Sequence, residues 1–217
     1  MNILLAAATE GEISLFRSIY NQKPTRFAAK VTFLITGVGG IATAFALTHA
    51  LAGQSYDLVL QAGVGGSFDP LIALGEVVSV TRDRYGDLGA EDHEEQLDIF
   101  DMGLIDANLH PHSGGVLHTP LSPFIGLQQL RQVSGLTVNM VSGNERTIAR
   151  RTARYGCSVE SMEGAALHYV CLQLGAPFAQ VRAISNYIIP RDKSQWKMKE
   201  AVTNLNEWLV AFLEHVE

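Results

Sequence analysis

The chain has 217 residues, enough for one α/β domain with a substantial core. With 47% hydrophobic and 18% charged residues it belongs with globular rather than disordered chains. Its net charge of −6, with Lys and Arg dispersed, excludes the basic stripe that a sequence-independent hold on nucleic acid needs.

From the N-terminus, residues 3–8 read as a strand and not as a secretory leader, because no basic segment precedes the apolar residues. Residues 10–20 have helical spacing. Residues 31–56 carry no formal charge, which invites a membrane reading, yet Gly37, Gly39 and Gly40 split the run into a β-rich half and an Ala-rich half. A strand over 31–36, a tight turn and a helix over 41–52 account for it without a membrane. Strands follow at 58–62 and 76–81. Residues 82–111 are irregular and largely acidic, with Asp83, Asp87, Glu91, Asp92, Glu94 and Glu95, and are expected to form a functional or mobile loop. Beyond them the pattern predicts a strand at 115–117, a helix at 123–132 and a strand at 137–141. A helix at 144–155 carries Arg146, Arg150, Arg151 and Arg154, which read as one solvated face. A helix at 162–174, a strand at 178–184 and a helix at 197–216 complete the series. In the last helix Met198, Val202, Leu205, Leu209, Phe212, Leu213 and Val216 form one apolar stripe. The alternation signals an α/β fold in one domain over residues 1–217. Cys157 and Cys171 stand in neither a metal nor a redox spacing, so a reducing cytoplasm is the expected setting and no metal is implied.

Two glycine-rich segments follow strands: Gly37-Val38-Gly39-Gly40 and Gly63-Val64-Gly65-Gly66. Read as turns, they open backbone N–H groups to a ligand, and the helix after the first adds a dipole that favours anions. Gly37, Gly39 and Ala42 also match a loosened dinucleotide fingerprint. It falls after the second strand rather than the first, and the acid expected after the next strand is missing, so a nicotinamide cofactor is not implied.

Two glutamates lie on apolar stripes. On a helix Glu12 neighbours Leu15, Phe16 and Ile19, and Glu163 neighbours Ala166, Leu167 and Val170. A carboxylate on a buried face must be paired, desolvated or functional. Glu12 in that setting suits a general base for water. Glu163 also reads as a first-turn acid with Ser161 as an N-cap. Together the two suggest a sugar or base site. His168, on the same helix as Glu163, reads as a satisfied core or interface histidine.

Four segments resemble one family in order along the chain. Ala8-Thr9-Glu10-Gly11-Glu12 resembles the acidic turn of the methylthioadenosine/S-adenosylhomocysteine nucleosidases. Val159-Glu160-Ser161-Met162-Glu163-Gly164-Ala165-Ala166 resembles the ribose-binding helix start of the nucleoside phosphorylases and nucleosidases. Arg182-Ala183-Ile184-Ser185-Asn186 is similar to the family's base-side strand end, and Ser142-Gly143-Asn144 to the turn before its base-contacting segment. Asp87-Leu88-Gly89-Ala90-Glu91 and Asn186-Tyr187 with Pro190-Arg191 narrow the resemblance towards the futalosine hydrolases of menaquinone biosynthesis.

This resemblance implies a three-layer α/β/α sandwich with a central mixed sheet and hydrolysis of a purine N-glycosidic bond without a cofactor. It implies that Glu12 activates water, that Glu163 binds ribose hydroxyls and that Met162 packs on the sugar. Arg182 would lie near sugar and water, and Asn186 and Ser185 would face the base. Gly63, Val64 and Asn144 are further candidates for substrate contact. The implied partner is a small-molecule purine nucleoside, and relatives are commonly homo-oligomers.

One departure is informative: the adenosine-type nucleosidases carry an aspartate where this chain has Asn186. An amide cannot protonate N7 at neutral pH, but its NH₂ donates to N7 or to a 6-oxo group, which implies a hypoxanthine-like leaving group. The alternatives are a phosphorylase, an adenosine-type nucleosidase and a non-catalytic nucleoside binder.

Overall fold

The computed structural model describes residues 1–93 and 95–216. In chain order the elements are β1 (Asn2–Ala7), α1 (Glu10–Gln22), β2 (Lys30–Ile35), α2 (Gly40–Gly53), β3 (Leu58–Ser67), β4 (Val77–Asp83), β5 (Gly89–Asp92), β6 (Glu95–Asp98) and β7 (Leu117–His118). There follow α3 (Ile125–Gln128), β8 (Arg131–Thr137), α4 (Glu145–Tyr155), β9 (Val159–Ser161), α5 (Gly164–Leu174), β10 (Phe178–Tyr187) and α6 (Met198–His215).

Strands β2, β1, β3 and β10 lie side by side and parallel, and β10 pairs antiparallel with β4, so the sheet is mixed. Side chains alternate across a strand, and here both faces are covered, which is why residues 3–7 of β1 and 58–60 of β3 are unbroken apolar runs. Ile3, Leu5 and Ala7 pack with Leu58, Leu60, Val181 and Ala183 against α1 and α6. Leu4, Ala6 and Val59 pack the other way, against Leu47 of α2 and Leu167, Val170 and Cys171 of α5. The result is an α/β/α sandwich. Among the described residues no helix is long and apolar enough to cross a membrane.

The structure departs from the sequence pattern most in four places, besides the short strand β9, which the pattern does not predict. The second glycine segment is not a turn: β3 runs straight through it to Ser67. The expected helix at 123–132 is one turn, α3, because Arg131 and Gln132 already pair with β4. That strand, β8, ends at Thr137, where the pattern predicts a strand to begin. Beyond it the Asn139 and Met140 N–H groups turn aside to the Asp87 carboxylate. Within β8, Gly135 looks like a breaker. It is required because a Cβ there would come within 2.6 Å of Asp83 Oδ2.

The fourth departure is the acidic segment, which holds the hairpin β5–β6 and is fastened to α4. Arg150 pairs with Glu91 at 3.1 Å, Arg154 with Asp98 at 2.9 Å, and Arg151 approaches Asp87 at 3.6 Å. The supposed solvated arginine face thus neutralises the loop, and Arg151 is buried. Glu94 lies outside the described residues.

Candidate active site

The carboxyl ends of β1, β3 and β10, the usual place for a ligand in an open α/β sheet, bring the two glutamates together. The chain leaves β1 through Thr9 into α1, which places Glu12 in the first turn. Thr9 donates to Glu12 Oε2 from its N–H (2.9 Å) and its hydroxyl (3.1 Å), while the Val64 N–H of β3 donates to Oε1 (3.1 Å). A buried carboxylate needs such donors. Both its oxygens are fixed, and Oε1, with a single donor, keeps a further lone pair.

Arg182 stands opposite Gly63 in the β10–β3 register and is only 2% exposed. Its Nη1 donates to Glu163 Oε2 (3.2 Å) and to the Val64 carbonyl (3.3 Å), and its Nη2 to Gln61 Oε1 (2.8 Å). Glu163 lies just before α5, and its Oε1 accepts from the Gly39 N–H at 3.1 Å. The anion at the start of α2 is therefore the chain's own Glu163. Gly37 and Gly39, with φ of 82° and 92°, adopt the left-handed backbone that makes this turn. Gly63 is needed for a different reason. A Cβ there would fall 2.6 Å from Arg182 Nη1 and 2.8 Å from Glu12 Oε1, so only glycine lets the acid and the arginine close over the strand.

Farther along β10 the register with β3 shifts between Ile184 and Asn186, a bulge that carries Ser185 as the extra residue. The Ser185 hydroxyl donates to Asn186 Oδ1 at 2.8 Å. The Tyr187 carbonyl, which can only accept, fixes the amide: Nδ2 donates one hydrogen to it at 3.1 Å and keeps the other for a partner. A small cleft beside it is lined by Gly66, Val141, Ser142, Asn186, Ile188 and Trp196. Met162 is half-buried, adjacent to Glu163 in the chain. Asn144 takes another position: it is exposed, and its Oδ1 caps α4 by accepting from the Thr147 N–H at 2.9 Å. Ser161 is not the cap of α5; Glu163 occupies that position.

Three supporting groups escape sequence reasoning. Asn206 of α6 accepts from the Phe16 N–H (2.8 Å) and donates to the Glu12 carbonyl (2.8 Å), two groups that an uninterrupted helix pairs with each other. The available signal was a lone amide between Leu205 and Leu209 of the apolar stripe. Glu160 accepts from the Ser142 N–H and hydroxyl, both at 2.7 Å, and pairs with buried Arg151 at 3.1 Å. This pair holds the wall of the cleft. Arg151→Leu would leave Glu160 charged, buried and unpaired, and is expected to cost about 3–5 kcal/mol at neutral pH. Urea unfolding measures it, and a loss below about 1 kcal/mol, the scale of an exposed pair, would show the pair to be energetically idle.

A family model described as the phosphorylase superfamily matches residues 4–214. The chain is 33% identical to a futalosine hydrolase of Thermus thermophilus over 205 residues, spanning 93% of this chain and 88% of that one. It is 34% identical to a futalosine hydrolase of Streptomyces coelicolor over 163 residues, spanning 73% of this chain and 66% of that one. Among solved structures it resembles a 5′-methylthioadenosine/S-adenosylhomocysteine nucleosidase from Colwellia psychrerythraea in complex with adenine. The TM-score is 0.77 at 20% identity, with 100% of this chain and 96% of that one covered.

Proposed function

The chain belongs to the phosphorylase superfamily, and from that premise we propose that it is an N-glycosyl hydrolase of purine nucleosides, with futalosine as substrate and hypoxanthine as the leaving base. One observation carries the hydrolytic reading: Glu12, held by Thr9 and Val64, converges over Gly63 with the Arg182–Glu163 pair. In this reading the glycosidic bond breaks heterolytically, its electron pair leaving with the base. Water then adds to the oxocarbenium-like ribosyl carbon and yields its proton to Glu12. The free lone pairs of Glu163 accept from ribose hydroxyls, and Met162 packs on the sugar. Two carboxylates beside the anomeric carbon favour the cationic transition state.

The same charges disfavour phosphate as nucleophile. Arg182 is the cation of this cluster, and its Nη groups are already engaged by Glu163, Val64 and Gln61. Base release from futalosine, inosine and methylthioadenosine in phosphate-free buffer, followed by chromatography, tests the reading. Strict dependence on phosphate would overturn it.

Futalosine is favoured over adenosine-type substrates by the amide at Asn186, whose unspent N–H suits N7 or O6 of a 6-oxopurine. A carboxylate there would set acceptor against acceptor, at about 1–3 kcal/mol. Asn186→Asp is therefore expected to reduce kcat/KM on futalosine about 10-fold or more beyond its effect on 6-amino analogues. Equal losses on both would remove the selectivity argument. The activity would belong to menaquinone biosynthesis. We also read the protein as a cytoplasmic homo-oligomer. Ile41 and Phe45 of α2, 86% and 75% exposed, form an apolar edge that a second copy would cover, which light scattering can check.

A further inference from the structure

Arg182 has a third tie, through its Nε, to a buried acid that the reaction itself does not use. Gln180, two residues earlier on the same face of β10, accepts from Arg182 Nε at 3.2 Å. Its amide hydrogens go to His168 Nε2 (3.0 Å) and Asp83 Oδ2 (3.1 Å). The direction is set at the far end: the His168 Nδ1–H donates to the Leu117 carbonyl at 3.2 Å, which leaves Nε2 bare as an acceptor. Asp83 Oδ1 is occupied by the Arg84 N–H (2.8 Å) and the Thr137 hydroxyl (2.9 Å). Thr137 Oγ1 accepts in turn from the Ala165 N–H at 2.7 Å, in the first turn of α5 and two residues beyond Glu163. One carboxylate thus reaches both members of the Arg182–Glu163 pair. Gly135 and Gly164 leave the space for it, because a Cβ at either would collide with Asp83 Oδ2.

We propose that Asp83 is a positioning residue which, acting through Gln180 and Thr137, sets Arg182 against Glu163, and does so only as a carboxylate. The inference rests on the hydrolase reading for what that alignment serves. With Oδ1 saturated, a proton must go to Oδ2, where the new O–H would face the Gln180 NH₂. Donor against donor breaks that contact, and the Gln180 amide, no longer held at Asp83, swings its oxygen out of line with Arg182 Nε. The guanidinium then loses an acceptor and its fixed direction.

The groups facing Asp83 leave it alone to titrate near neutrality. Burial pushes the Asp83 carboxyl up to about 6, opposed by Thr137, the Arg84 N–H, Arg182 and Gln180. Burial lowers His168 to about 4, raises Cys157 to about 11, and raises Tyr85 as well, so these three stay neutral in that range.

The test pairs a pH–rate profile with the Nε–H resonance of Arg182 in ¹⁵N-arginine-labelled protein. In the wild-type protein both should change with an apparent pKa near 6. In Asp83→Asn, whose NH₂ mimics the protonated acid, kcat should fall about 10-fold with KM nearly unchanged. The limb near pH 6 should vanish and the resonance should no longer titrate. Gln180→Met should do the same, and together with the wild-type titration it decides the matter if Asp83→Asn fails to fold. A resonance indifferent to pH and to both substitutions overturns the proposal. So does a kcat loss that is uniform with pH while the limb survives. Absence of base release from every nucleoside would sink the hydrolase reading instead, and the resonance would still decide this one.

Discussion

Glu12→Gln is expected to lower base release about 10³-fold while nucleoside binding survives. The amide keeps one oxygen to accept from the Val64 N–H, so the side chain stays in its pocket. It cannot take a proton from water. Its NH₂ would also face the Thr9 N–H, where the carboxylate now accepts, at a cost of about 1–3 kcal/mol in stability. Single-turnover hydrolysis and equilibrium binding of a non-hydrolysable nucleoside analogue, measured together, separate the two effects. A loss below about 10-fold, against the 10²–10⁴ usual for a positioned acid or base, would mean that another group activates the water.

Gly63→Ala should be almost as damaging although it removes no functional group. The new methyl would fall 2.6 Å from Arg182 Nη1 and 2.8 Å from Glu12 Oε1, so one of the two must retreat. Both are anchored: the arginine by Gln61, Glu163 and the Val64 carbonyl, the acid by Thr9 and Val64. Movement of either approaches 1 Å, a misplacement that costs on the order of 10²-fold in rate. Overpacking adds about 1–3 kcal/mol of destabilisation. Activity assays run beside thermal unfolding check both numbers, and an alanine variant of wild-type rate would show that the cluster tolerates slack.

These two positions mark where the sequence was readable and where it was not. Glu12 and Glu163 stood out because a carboxylate on an apolar helical stripe is anomalous, and the structure buries both. Gly63 stood out for the wrong reason. A glycine that supplies a left-handed turn, as Gly37 does, and one that makes room for two side chains look alike until the neighbours are known. On that account the sequence pattern ends the third strand at residue 62, whereas β3 runs to Ser67. Arg151 and Glu160 were lost among ordinary surface charges, since their pairing depends on α4 and β9 folding back on each other. Asp83 was hidden similarly, as one acid in an acidic stretch, though it is fully buried at the end of β4. The overall α/β alternation survived these errors because the apolar runs of β1, β2, β3 and β10 are unmistakable.

The Asn206 bridge to the Glu12 carbonyl has a consequence for biosynthesis. The ribosome makes residue 206 after residue 12 and after every strand of the sheet. The first turn of α1 therefore acquires its final clasp only when α6 docks. A nascent chain can build most of the sheet and still lack this clasp, so on the proposed role of Glu12 catalytic competence arrives late and abruptly during synthesis.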